Sequence, residues 1–178
     1  MFVFEQTMEG LLRAIGPRMT QPCRARLLAL GLDVEAKLLP AYSFEVWMSC
    51  LLASAEENWP GEPRDQALFK VGEAFIDGYR ETFMGRAVLG LVRVLGPRRA
   101  LQRATRSFRS GNNYTEAKVT DVNDTCLELW MNEVGPHPSF TQGLVEAALR
   151  ASGVAPTVEI KEYDGHACTY RCTWVITL

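Results

Sequence analysis

Histidine occurs only twice in these 178 residues, and the five cysteines (Cys23, Cys50, Cys126, Cys168 and Cys172) are scattered without compact spacing. An odd, dispersed cysteine count excludes a disulfide framework, and without clustered His or Cys no structural metal site is expected. Catalytic signatures are equally scarce. No G-x-S-x-G, H-E-x-x-H, Walker-type or G-x-G-x-x-G pattern is present, so the sequence points away from an enzyme. No apolar run approaches the roughly 18 residues of a membrane span. The opening MFVFEQTMEG has neither a basic region nor a long apolar core of signal type, which leaves a cytoplasmic protein as the expectation.

Charge is nearly balanced. Nineteen basic against 21 acidic residues give a net charge of −2, which disfavours nucleic acid as a whole-surface partner. The hydrophobic share of 47 % is that of a globular protein, and a chain of this length buries about 70 % of its unfolded surface without metal or disulfide. One domain over residues 1–178 is the expectation, with 1–110 mainly helical and 111–178 arranged ββαββ.

Residues 2–15 start as an extended entry and turn helix-like around Leu11, Leu12 and Ile15. A short helix follows from Pro22 to Leu30 and stops at Gly31. Ser43 is a candidate N-cap for a helix whose apolar face recurs at Phe44, Trp47, Met48, Leu51 and Leu52. Residues 63–95 carry the longest helical period, through Leu68, Val71, Phe75, Tyr79 and Phe83. Four glycines there predict close helix packing or a break near Met84-Gly85. Gly96-Pro97 ends that segment and opens another helix through Phe108.

Beyond Ser110 the pattern turns to strands at 114–122 and 125–133, joined at Asn123-Asp124. A helix over 139–151, capped by Ser139, precedes strands at 157–163 and 167–178. Asp164-Gly165 between them is a type I′ hairpin signal. The whole predicts an α+β fold, an N-terminal helical layer on a four-stranded antiparallel sheet.

The strings GLLRAIGP, LLALGLDVEAKLLPAYSFEVW, GEAFIDGYRETFMGRAV and LGPRRALQRATRSFRSGNNYTEA resemble, in order and over nearly the whole chain, a paralogous family of myxobacterial proteins with no assigned activity. The C-terminal third, with GLVE, EYDG and CTYRC, is similar to a ligand-binding superfamily. That superfamily joins vinyl-reductase-like sensors, haem nitric-oxide-binding domains and vesicle-transport subunits. The likeness implies helices covering an antiparallel sheet, with a small hydrophobic ligand or acyl chain held between the layers. Haem-binding members place an axial histidine on a helix. Here the two histidines fall in a Pro-flanked loop (His137) and the last hairpin (His166), so no cofactor is expected.

Cys168 and Cys172 lie on one strand face about 13 Å apart at roughly 3.3 Å per residue, too far for a disulfide or a shared metal. They read first as small buried hydrophobes. A His166–Cys168 dyad across the turn is conceivable on spacing alone. Arg99, Arg103 and Arg106 share a helical face at i, i+4 and i+7, which suits either a solvated face or an anion.

The leading expectation is a non-enzymatic binding or sensor/regulatory domain for a small apolar ligand lying between helices and sheet. Its candidate lining is Trp47, Phe75, Tyr79, Phe83, Cys168, Tyr170, Cys172 and Trp174. A protein–protein or homodimeric scaffolding module is the alternative. An anion or nucleic-acid contact at Arg99, Arg103 and Arg106 comes third.

Overall fold

The alternation of Phe2, Val3 and Phe4 yields a three-residue strand, β1 (Phe2–Phe4), paired antiparallel with β2 (Ala41–Ser43). The computed structural model describes residues 1–176. β1 runs straight into α1 (Glu5–Ile15), followed by a 3₁₀ turn and α2 (Gln21–Ala29), capped by the Thr20 hydroxyl. Ser43 caps α3 (Phe44–Asn58) as its sequence position suggests, its Oγ accepting from the Val46 N–H. The long helical stretch is divided into α4 (Arg64–Arg80) and α5 (Phe83–Gln102). The break comes at Glu81-Thr82, where Thr82 Oγ1 accepts from the Gly85 N–H at 2.9 Å and restarts the helix.

α5 is itself kinked at Gly96, whose φ of +74° suits a residue without Cβ just ahead of Pro97. A short helix, α6 (Ala104–Arg109), completes the helical half.

Four strands and one helix follow: β3 (Ala117–Asn123), β4 (Cys126–Met131), α7 (Pro138–Arg150), β5 (Val154–Tyr163) and β6 (Cys168–Ile176). The sheet is antiparallel in the order β3-β4-β6-β5. This is the expected α+β architecture of helices on a four-stranded sheet. The expectation that the last strand reaches Leu178 concerns two residues that lie outside the described ones.

Three local expectations change. Pro138 occupies the first turn of α7 with His137 as N-cap, so Ser139 sits inside the helix and makes no cap. The β3–β4 turn falls at Asp124-Thr125. The β5–β6 loop is no type I′ turn. Asp164 Oδ1 accepts from the N–H groups of both His166 and Ala167, and only Gly165 has positive φ. The aspartate side chain thus closes a longer loop than two residues.

Two crossings hold the helical layer together, and both exploit glycine. A Cβ at Gly72 of α4 would collide with the Phe140 carbonyl of α7, and one at Gly143 of α7 with the Phe69 carbonyl of α4. A Cβ at Gly78 would strike Gly10 O of α1 and come 2.5 Å from Ala14 N. The glycines in the long helical stretch therefore let backbones touch, which buries α4 between α1 and α7.

Two apolar cores result. One, centred on Met8, Leu11, Leu51, Leu68 and Val71, lies among α1–α4; the other lies between the sheet and α7, with Leu127, Leu129, Val145, Leu149 and Tyr170. The opposite face of the sheet is polar, with Glu128 bridging Lys161 at 2.8 Å and Arg171 at 3.0 Å.

Candidate ligand-binding site

At the seam between the two cores the packing leaves a cavity of about 150 Å³. Trp47, Phe75 and Tyr79 wall it from the helical core, and Leu101, Leu129 and Val145 from the sheet core. Aromatic geometry fixes the helical wall. Trp47 and Phe75 each meet Phe140 edge to face, at 5.7 and 5.8 Å, while Tyr79 stacks on Phe75 at 5.4 Å. The Tyr79 hydroxyl reaches Ser110 Oγ at 3.5 Å, and burial pushes its phenol pKa up.

Three polar residues of the wall are engaged within the fold. Thr7 Oγ1 donates to the Gly111 carbonyl, and Asn112 Oδ1 accepts from the N–H groups of Tyr114 and Thr115. Glu133 accepts from Gly135 N and pairs with His166 Nδ1 at 3.2 Å. A guest would meet carbon on most sides.

The sequence candidates separate into three groups. Trp47, Phe75 and Tyr79 stand together at the cavity. Cys168, Tyr170, Cys172 and Trp174 all point into the sheet core and line no part of the cavity. Tyr170 donates to Pro138 O at 2.9 Å, and burial pushes its phenol up and the Cys172 thiol up to about 12. Both cysteines are free and buried. Phe83 is on the surface, 76 % exposed, because the break at Thr82 ends the helical period that would have carried it inward.

The arginines also part. Arg99 lies in α5, Arg103 caps its end with φ −105°, and Arg106 lies in α6, so no single helix presents them; all three are exposed. The His166–Cys168 pair does not form a dyad: His166 is exposed and faces Glu133, while Cys168 is buried and its thiol pKa is raised.

Sequence reading missed the far wall, made by Val88, Leu89 and Val92 of α5 and by Leu101, Ala104 and Phe108 beyond the kink. Their signal was an apolar residue every three or four positions among the arginines.

Residues 1–175 match the family described as Protein of unknown function (DUF2378). The chain belongs to that family. No curated protein matches it. Among solved structures, it is similar to the Fe(II) unliganded H-NOX protein from K. algicida, at 12 % identity and TM-score 0.69, with 97 % of this chain and 96 % of that one covered. It is also similar to a mutant of T. tengcongensis H-NOX, at 14 % identity and TM-score 0.67, with 94 % of each chain covered. A third is an oxygen-binding H-NOX domain related to soluble guanylate cyclases, at 14 % identity and TM-score 0.67, covering 95 % of this chain and 91 % of that one. This DUF2378 member thus has the H-NOX fold over 94 % or more of its length.

The residues around its cavity do not fit a haem. Among the described residues, no histidine or cysteine lines the cavity. His166 is exposed, and His137 is held in the turn before α7 with its Nδ1 buried and unpartnered. Of the other side chains that ligate haem iron, the wall holds Tyr79 and Tyr114, whose phenols burial pushes up. Among the described residues, Met48 and Met131 are the sulfur donors in the wall. A space of 150 Å³ is also one that benzene suits, far below a porphyrin. Among the described residues, no cluster of three His, Cys, Asp or Glu could hold a metal ion, and no helix is long and apolar enough to cross a membrane.

Proposed function

We infer that this protein is a non-enzymatic binding or sensor module that takes a small apolar molecule directly, without haem, into the cavity between its helices and its sheet. The observation that carries this reading is the apolar cavity at the seam of the two cores. Interiors are close-packed, and an apolar void forfeits dispersion contacts that an apolar guest restores. The wall is shared by α3, α4, α5, α7 and β4, so occupancy would bear on how the helical half sits over the sheet. Ligation would act through that differential packing. The H-NOX fold is consistent with the reading, since an H-NOX domain described as oxygen-binding has the same architecture.

Native mass spectrometry of freshly purified protein, followed by organic extraction, tests this. The expected result is a reproducible mass excess that vanishes on denaturation and belongs to an apolar compound. A polar or iron-porphyrin extract would contradict it.

A further inference from the structure

α5 is apolar on two opposite sides. Its inner side, with Val88, Leu89 and Val92, walls the cavity. The outer side carries Phe83, Ala87, Gly90, Leu91 and Val94, all exposed, with Phe83 76 % and Val94 83 % accessible. These positions recur at i, i+4, i+7, i+8 and i+11, one stripe along the helix. Scattered exposed hydrophobes need no explanation, but an aligned stripe does.

Its charge setting is one-sided. Between Glu81 and Glu116 there are seven arginines (86, 93, 98, 99, 103, 106 and 109) and no acidic residue. Taking those seven from a net charge of −2 leaves the rest of the chain at −9. Arg98 pairs with Asp121, and Arg109 donates to the Asn113 carbonyl. Arg93, Arg99, Arg103 and Arg106 are exposed and have no ion-pair partner among the described residues. On the helical wheel Arg86 and Arg93 border the stripe along one edge.

We propose that this outer face of α5, with the arginines that follow it, docks on an anionic lipid surface. A second copy is disfavoured because two such faces would bring arginine against arginine. A protein partner of ordinary affinity needs roughly 800 Å² per side, and a ridge five residues long falls short of it. Interfacial membrane binding asks only for protruding apolar side chains beside guanidinium groups, each adding a small increment. The placement also sets the cavity wall against the phase in which apolar molecules dissolve.

Vesicle flotation decides it, with phosphatidylcholine alone or mixed with phosphatidylserine. Wild-type protein is expected to float with the mixed vesicles and to be released by salt. Changing Arg99, Arg103 and Arg106 together to Ala weakens partitioning on the order of a hundredfold. Phe83→Ser with Val94→Ser weakens it at least about tenfold while the urea midpoint stays in place. Failure to float with anionic vesicles, or flotation indifferent to both sets of changes, overturns the proposal and leaves an acidic protein as the partner. Self-association in sedimentation velocity that the Phe83/Val94 pair abolishes also overturns it, in favour of a second copy.

Discussion

A single methyl group at Gly72 would have to enter the space held by the Phe140 carbonyl, with Leu144 N 2.7 Å away. Backbone cannot yield there as a side chain would. Gly72→Ala is therefore expected to lower stability by about 1–3 kcal/mol, the usual cost of overpacking, read as a fall in the urea midpoint. Gly90 is the internal control. Nothing lies within 4 Å of its Cβ position and it is exposed in a helix, so Gly90→Ala should raise stability by roughly 0.5–1 kcal/mol. Both glycines are visible in the sequence as helix interruptions. Which of them marks a contact is not, because that depends on a carbonyl some seventy residues away.

His137 carries a different test. It is buried at the start of α7, its Nδ1 lacks a partner, and desolvation lowers its pKa below the ordinary value. The unfolded chain then binds the proton more readily than the folded one. Its contribution to stability is complete above about pH 6.5 and is lost as pH falls below that value. His137→Gln should remove this part of the slope. Urea unfolding at pH 7 and pH 5 is expected to show a smaller loss for the variant than for wild type; an equal loss would refute the assignment.

At the scale of the element, the decisive event is the break between α4 and α5. Thr82 is buried, donates to Tyr79 O at 2.8 Å and accepts from Gly85 N. Thr82→Ala should cost about 1–2 kcal/mol, as loss of a good N-cap does, and fray the first turn of α5 in hydrogen exchange. Helices with a local signal are legible in the sequence. Ser43 ahead of a repeating apolar face marks α3, and the Gly96-Pro97 pair marks the kink. The β3–β4 and β5–β6 hairpins, at 117–131 and 154–176, follow from alternation. The extended entry at residues 2–4 is legible as β1, but its partner β2 is not, since three residues give too short a period and the pairing spans some forty positions. The shift of Phe83 from core to surface has the same root. Its spacing from Tyr79 fits one continuous helix, and only the capping threonine between them says otherwise.

For the molecule as a whole, two apolar cores meet along a seam that is not filled. Sequence periodicity identifies which faces of α3, α4 and β6 are buried, and Trp47, Phe75 and Tyr79 do reach the seam. It does not say which buried face borders a void. Cys168, Tyr170, Cys172 and Trp174 carry the right pattern but stand in the core between the sheet and α7. The wall beyond the kink is masked in the sequence because its apolar residues are interleaved with the arginines of the outer surface. Ala104, buried and in the cavity wall, offers a way to fill the space from one side.

The most direct test of the central claim is a methyl-detected NMR titration with benzene, a probe matched to the cavity's size, on wild type and Ala104→Leu. Direct apolar binding predicts saturable shifts concentrated at Val92, Leu101, Leu129, Val145 and Leu149, and their loss in the filled variant. Shifts that are absent, unsaturable, or unchanged by Ala104→Leu would contradict it.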